Sequence, residues 1–128
     1  MKIKCLSIDV SGIPASYLKY HQNDDRSDPL LTKGKDYIVT GVEYREGLLL
    51  YIAQLDNAMV YRTCPLLFSV VEETVPQDWK VSVNEEEGQL VMELSFAEWF
   101  TQGFQEAYYD RDVTALTIVD NKLKSYAH

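Results

Sequence analysis

The sequence contains few of the residues from which chemical sites are built. Its 128 residues include two histidines, two cysteines and six glycines. They form no cluster of nucleophile, base, metal ligand or phosphate-binding glycines. Cys5 and Cys64 lie far apart in the sequence, which does not indicate a disulfide scaffold, and we interpret both as reduced and buried. The sequence therefore predicts a protein that is not an enzyme and that needs no cofactor or metal.

Long hydrophobic runs are also lacking, which excludes a membrane-spanning helix. Asp9 interrupts the apolar segment near the N-terminus before it reaches the length of a signal-peptide core, so we expect a cytoplasmic protein. With 46% apolar and 25% charged residues, the composition excludes wholesale disorder. The length predicts a single domain over 1–128, mainly β-sheet over 1–94 and helical over 95–128.

Positive charge is scarce towards the C-terminus. The net charge of −8 divides into +1 over residues 1–34, −3 over 35–80 and −6 over 81–128. A surface of this sign repels phosphate backbones and anionic membranes, which disfavours nucleic-acid and membrane binding. Two interpretations remain open: the acidic half binds a basic protein, or the charge only keeps the domain soluble.

Alternation of apolar and polar residues predicts a run of antiparallel strands. Arg45-Glu46-Gly47 and Glu85-Glu86-Glu87-Gly88 are typical of hairpin turns, and Pro65 interrupts the ladder because proline has no N–H to donate. In the strand that begins at Asp36, alternation places Val39 and Gly41 on the same face. The predicted strands cover residues 2–8, 36–44, 48–55, 59–62, 66–72, 80–84 and 89–94.

A helical period replaces the alternation after residue 94. Ser95 and Glu98 have the spacing of a capping box, which predicts a helix beginning at Phe96. Asp112 could cap a second helix, although 113–125 would also tolerate a strand. Trp79 and Trp99 are the expected core anchors. The apolar positions of the two predicted helices are Phe96, Trp99, Phe100, Phe104, Ala107 and Tyr108, followed by Leu116, Val119, Leu123 and Tyr126.

Several short segments together resemble a known group of proteins. They occur in the order Cys5-Leu6, Gly12-Ile13-Pro14, Tyr17-Leu18, Pro29–Val39, Tyr51-Ile52, Pro65–Val71, Trp79 and Phe96–Trp99. The order is similar to that of small, stand-alone bacterial proteins with an SH3-like barrel built around a Leu-Thr-x-Gly-Lys-x-Tyr-x-Val strand, followed by a helix that opens with Glu-Trp. Some proteins of this organisation resemble immunity proteins, which inhibit bacterial toxins. The resemblance implies an SH3-like antiparallel β-barrel of the α+β class with a C-terminal helical segment.

The residues capable of chemistry have simpler structural interpretations. Asp24, Asp25 and Asp28 lack the glycine and trailing glutamate of a calcium loop, so we expect solvated charges in a surface loop. His21 and His128 lie at opposite ends of the chain, which disfavours a zinc site. Cys64 could act as a nucleophile with His21 as its base, but a buried structural cysteine is the simpler interpretation.

These observations favour a non-catalytic protein-binding domain, with an immunity protein that inhibits a basic toxin as the leading hypothesis. The alternatives are an accessory interaction domain of another bacterial assembly and a small enzyme of another type. A deep pocket that holds carboxyl groups of perturbed pKa would favour the enzyme. The residues predicted to contact the partner are acidic side chains of the second half and one aromatic anchor: Glu85, Glu86, Glu87, Glu106, Asp110, Asp112 and Tyr109.

Overall fold

The computed structural model describes residues 1–21 and 28–127 and belongs to the α+β class, as predicted. A mostly antiparallel sheet precedes a C-terminal helical segment. The strands are β1 (Lys2–Cys5), β2 (Asp36–Arg45), β3 (Leu48–Gln54), β4 (Val60–Thr63), β5 (Phe68–Glu72), β6 (Trp79–Glu86) and β7 (Gln89–Phe96). The helices are α1 (Phe104–Tyr109) and α2 (Val113–Tyr126), and shorter 3₁₀ segments cover Val10–Gly12, Ala15–Tyr20, Pro65–Leu67 and Ala97–Phe100.

The ten-residue strand β2 organises the sheet. It pairs with β3 along one edge, and along the other edge its first half pairs with β1 and its second half with β7. The order is β4-β3-β2-β1-β5, with β7 and then β6 extending from β2. Among the described strands, β4, β5 and β6 each pair on one side only, so the sheet is open and the predicted barrel closure is not confirmed.

Two glutamate–glycine turns close the predicted hairpins. Glu46 and Gly47 have φ of 53° and 77°, and Glu87 and Gly88 have φ of 51° and 80°. Positive φ at both central residues defines the type I′ turn, whose twist matches that of the flanking strands. Because β2 and β7 are antiparallel neighbours, both turns lie at the same end of the sheet.

A register shift in β2 overturns the expectation that Val39 and Gly41 share a face. Val39 is opposite Ala53, whereas Gly41 is opposite Ile52, so the side-chain alternation changes between them. Gly41 also lies against β7: a Cβ at this position would be 2.8 Å from the carbonyl oxygen of Leu94. Because of the shift, Val39 and Val42 pack against the same apolar core although they are three positions apart.

The predicted capping box does not form. Ser95 remains inside β7, where its hydroxyl donates to the Thr40 carbonyl oxygen at 2.7 Å. Glu98 lies in the 3₁₀ segment, and α1 begins only after Gly103, whose φ is 79°. A buried backbone carbonyl of a neighbouring strand therefore holds the serine hydroxyl away from the helix start.

The second predicted helix is confirmed, which decides between helix and strand over 113–125. Asp112 caps α2 by accepting a hydrogen bond from the Ala115 N–H at 3.0 Å. Val119, Leu123 and Tyr126 are buried on one face of the helix. No helix in the described parts of the chain has the length and apolar content needed to cross a membrane.

Two apolar cores lie on opposite faces of the sheet. The N-terminal core joins β1, β5 and the segment around Leu31 to the face of β2 that carries Val39. The helical core joins α1 and α2 to the face of β3 and β4 that carries Ile52 and Val60. Trp99, which is 2% exposed, anchors the helical core as predicted. Trp79 is half-buried and packs against the N-terminal core.

Candidate functional site

A polar groove of about 330 Å³ lies between the sheet and the segment that leads into α1. Strands β2, β4, β6 and β7 form its sheet side, and Trp99 to Glu106 form the facing wall. Its lining residues are Arg45, Arg62, Ser82, Asn84, Glu86, Glu93, Trp99, Phe100, Thr101, Gly103, Gln105 and Glu106.

Charged side chains on alternate positions of the strands meet at this groove. Glu43 is fully buried and accepts hydrogen bonds from Arg45 Nε at 2.5 Å and from Arg62 Nε at 2.9 Å. Arg45 also forms an ion pair with Glu86, and this contact lowers the pKa of Glu86. Two guanidinium groups therefore neutralise two carboxylates, one of them deep in the protein.

Glu93 is the exception in this cluster. It lies directly opposite Glu43 across the β2–β7 ladder and is 7% exposed. Its Oε2 has no hydrogen-bond partner among the described residues. Burial, and then the charge of Glu43, raise the pKa of Glu93 to about 7, against the opposing charges of Arg62 and Arg45. The carboxyl group therefore changes protonation state near neutral pH.

Two of the predicted contact residues come together at the groove. Glu86 and Glu106 both line it, one from the end of β6 and the other from α1. The aromatic anchor Tyr109 is partly engaged already: its hydroxyl donates to the Val60 carbonyl oxygen at 2.7 Å, and its ring stacks on Tyr61 at 5.8 Å. Burial raises the pKa of Tyr109, and the residue remains 36% exposed.

The other predicted contact residues are separate from the groove lining. Glu85 lies on β6, where its alternation places it on the opposite face, and Glu87 occupies the hairpin turn. Asp110 follows α1, and Asp112 is committed to capping α2. All four are exposed, so the acidic surface is divided between several parts of the molecule rather than forming a single patch.

The face of the sheet opposite the groove carries a second unusual feature, which we call the apolar sheet face. It consists of six side chains that are 42–69% exposed: Tyr44, Leu49, Val81, Val83, Leu90 and Met92. Strand pairing places Leu49, Tyr44, Met92 and Val83 in one row across β3, β2, β7 and β6. A contiguous apolar surface of this kind is typical of an interaction site.

The apolar sheet face is the continuation of the sheet surface that packs against the N-terminal core. Val42 and Tyr51, one row away from Tyr44 and Leu49, pack against that core. The N-terminal segments reach this region at Tyr17, whose hydroxyl donates to the Leu49 carbonyl oxygen at 3.1 Å. Beyond this point the strands retain apolar side chains that the described segments leave accessible.

The structure brings His21 to Cys64, but not as a nucleophile and its base. His21 Nε2 accepts a hydrogen bond from the Cys64 backbone N–H at 3.2 Å, so the other ring nitrogen, Nδ1, donates to Asp28 Oδ2 at 2.6 Å. Cys64 is fully buried, and burial raises the pKa of its thiol. The structural interpretation of Cys64 agrees with this geometry.

Asp28 contradicts the expectation of a solvated loop charge, because it is 3% exposed and bonded to buried His21. Its Oδ1 also accepts from the Leu30 N–H at 2.8 Å. Asp24, Asp25 and His128 lie outside the described residues. Among the residues that are described, no group of three or more His, Cys, Asp or Glu side chains could hold a metal ion.

Alternation of apolar and polar residues did not predict the charged cluster of Glu43, Arg45, Arg62 and Glu93. A signal was present, because Glu43 and Glu93 each interrupt a strand that is otherwise largely apolar. A charged residue at such a position must find a partner or change its protonation state. What the pattern could not give is the pairing that places the two carboxyl groups opposite each other.

Comparison with known proteins gives no relative from which to transfer a function. No family model matches the chain. Neither a curated protein nor a solved structure matches it significantly.

Proposed function

We propose that this protein is a non-catalytic protein-binding domain whose apolar sheet face is the main contact surface. The observation that carries the proposal is the row of exposed apolar side chains across four neighbouring strands. Leaving such side chains in water forgoes the stabilisation that burial would give, about 25 cal/mol per Å². A partner that covers the row would recover this free energy on binding.

Charge supports a basic partner. The chain carries a net charge of −8. Glu85 shares the apolar sheet face by alternation, and Glu87 lies in the turn at its end. Neither glutamate has an ionic partner among the described residues, so both are available to attract a cationic surface during encounter. A second copy of this acidic chain would meet like charges there.

The likeness to immunity proteins makes inhibition of a basic toxin the leading form of this proposal. In such a pair, the apolar contacts would provide affinity and the acidic rim would speed association. An accessory role in another bacterial assembly would use the same surface with a different partner. Neighbouring genes distinguish these cases most cheaply, since an adjacent gene of toxin size favours immunity.

Co-expression with the product of the adjacent gene tests the proposal. Val83→Lys and Met92→Lys should each raise the dissociation rate by at least about tenfold, because both place a charge in the centre of the contact. Val71→Lys is the matched control, since Val71 is 50% exposed on β5, outside the apolar sheet face. Glu85→Gln with Glu87→Gln should mainly slow association, and the difference from the parent protein should vanish at high salt.

Two results would count against the proposal, at different levels. The first, a neighbouring product that is harmless when expressed alone, would exclude the toxin-immunity form and leave the accessory role. The second is a bound complex whose rates respond to Val71→Lys as strongly as to Val83→Lys, which would place the contact elsewhere.

The alternative of a small enzyme has one observation in its favour, the raised pKa of Glu93 in a groove. General acid–base chemistry also needs a reacting partner group. Glu43 is buried and bonded to two arginines, which leaves it no free role as a second carboxylate. Cys64 lies elsewhere and is fully buried. A binding function therefore explains the exposed apolar side chains, which catalysis leaves unexplained.

A further inference from the structure

Two buried polar groups at the groove have no partner within the described parts of the chain. One is Oε2 of Glu93, and the other is the indole N–H of Trp99. Glu93 is 7% exposed and Trp99 is 2% exposed, and both line the groove. A buried polar atom without a hydrogen bond has lost its contact with water and gained nothing in exchange, which destabilises the folded state. A ligand that satisfied both atoms would remove this cost.

The charges around the groove determine which ligand fits. Arg45 and Arg62 both form ion pairs with Glu43, and Arg45 forms a second one with Glu86, so the two positive charges at the groove are already shared among carboxylates. Glu106, at the facing wall, has no ionic partner among the described residues. With Glu93 ionised, four carboxylates face two guanidinium groups. The groove therefore has an excess of negative charge, which a cationic ligand would balance.

We propose that the groove binds a guanidinium or alkylammonium group, with Glu93 as its counterion and Glu106 as a further acceptor at the wall. A cationic N–H group can donate to the unpartnered Oε2 and bring opposite charge to a poorly solvated carboxyl, and such charge-assisted bonds are the strong ones. The volume of about 330 Å³ lies in the range of sites for small ligands.

Trp99 favours a basic side chain that is carried by a peptide. Its indole N–H is a donor only and needs an acceptor, which a free guanidinium or ammonium ion lacks. A peptide that presents arginine or lysine also offers backbone carbonyl oxygens. One unpartnered atom, Oε2 of Glu93, is an acceptor, and the other, the indole N–H of Trp99, is a donor. A basic residue within a peptide offers a partner to each, because its side chain donates and its backbone carbonyl oxygen accepts.

The raised pKa of Glu93 adds a pH dependence. Burial is the largest cause of the raised pKa. The charges of Glu43 and Glu86 raise it further, and those of Arg62 and Arg45 lower it. At low pH a proton occupies the carboxyl, so a cation must displace it. If only the ionised form binds and half the carboxyls are ionised near pH 7, the apparent affinity should be roughly tenfold weaker at pH 6 than at pH 8.

This inference is independent of the proposed partner of the apolar sheet face. Glu93 and Met92 are successive residues of β7, so their side chains point to opposite faces of the sheet. Val83→Lys should not alter binding in the groove, and Glu93→Gln should not alter the apolar contact. Failure of either proposal therefore leaves the other standing.

The test uses capped arginine, N-acetyl-arginine methylamide, as its probe. Titration into the 128-residue chain is followed by NMR at the Trp99 indole N–H, with the Trp79 indole as internal reference. We expect a saturable shift of the Trp99 signal that weakens from pH 8 to pH 6. The neutral analogue, N-acetyl-citrulline methylamide, should bind at least about tenfold more weakly because it lacks the charge.

Three further measurements make the result decisive. Glu93→Gln, which keeps the shape of the side chain, should abolish the pH dependence and weaken binding, whereas Glu85→Gln, on the opposite face, should change neither. Methylguanidinium distinguishes the source of the cation, since binding as tight as that of capped arginine would overturn the peptide assignment. Absence of a Trp99 shift, equal binding of the citrulline analogue, or unchanged binding by a folded Glu93→Gln protein would overturn the site itself.

Discussion

Replacing Glu93 by glutamine should stabilise the protein at alkaline pH and have a much smaller effect at acid pH. Glu93 is buried opposite Glu43, and its pKa rises from 4.5 to about 7 on folding. The folded state therefore binds the proton more tightly than the unfolded state does. By linkage, stability is greatest below pH 4.5, declines as the pH rises from 4.5 to about 7, and is constant above that range.

The magnitude follows from the pKa change. At about 1.4 kcal/mol for each pH unit, the rise from 4.5 to about 7 corresponds to on the order of 3 kcal/mol of stability lost between acid and alkaline conditions. Glutamine has a similar shape and no charge, so it escapes this loss.

Urea denaturation at pH 5 and pH 8 measures the effect. The quantity to compare is the free energy of unfolding of Glu93→Gln minus that of the parent protein, because subtraction cancels groups common to both. This difference should grow by about 2–3 kcal/mol from pH 5 to pH 8, since a small part of the loss has already occurred at pH 5. Glu85→Gln, an exposed glutamate on the same hairpin, should give a difference near zero at both values. A difference for Glu93→Gln that is independent of pH would refute the reasoning.

Three other substitutions test how the fold is held together, each by urea denaturation. Gly41→Ala should cost about 1–3 kcal/mol, because its methyl group would meet the Leu94 carbonyl at 2.8 Å; no loss would mean that β7 can move away. His21→Leu should cost on the order of 2–4 kcal/mol, since it leaves Asp28 and the Cys64 N–H without their partner, and His21→Gln should restore part of this. Trp99→Ala should cost about 3–5 kcal/mol, and an unchanged midpoint would contradict its central place in the helical core.

Local pattern was sufficient for most of the secondary structure. The hairpin turns at Glu46-Gly47 and Glu87-Gly88 follow from short-range chemistry, because glycine and a neighbour with positive φ favour a tight type I′ turn. The cap at Asp112 is equally local, since a carboxylate three residues before an N–H can reach it. These features depend on a few adjacent residues, which the sequence contains in full.

Local pattern failed where a distant group competes for the same side chain. Ser95 and Glu98 have the spacing of a capping box, but the carbonyl of Thr40, 55 residues away in sequence, takes the serine hydroxyl. Asp28 stands in a polar run that is typical of a surface loop, but its partner His21 is buried beside Cys64. A sequence pattern records which bonds a residue can form and not which partner lies nearest.

The sequence by itself determined the alternating strands, the acidic balance and the scarcity of reactive groups. Only the tertiary structure decided which side of each strand is covered. Alternation assigns Val83 and Met92 to one face and Glu93 to the other, yet it cannot say that the apolar face stays accessible while the glutamate is buried. That outcome depends on where α1 and the N-terminal segments pack, because burial results from contacts between elements that are remote in the chain.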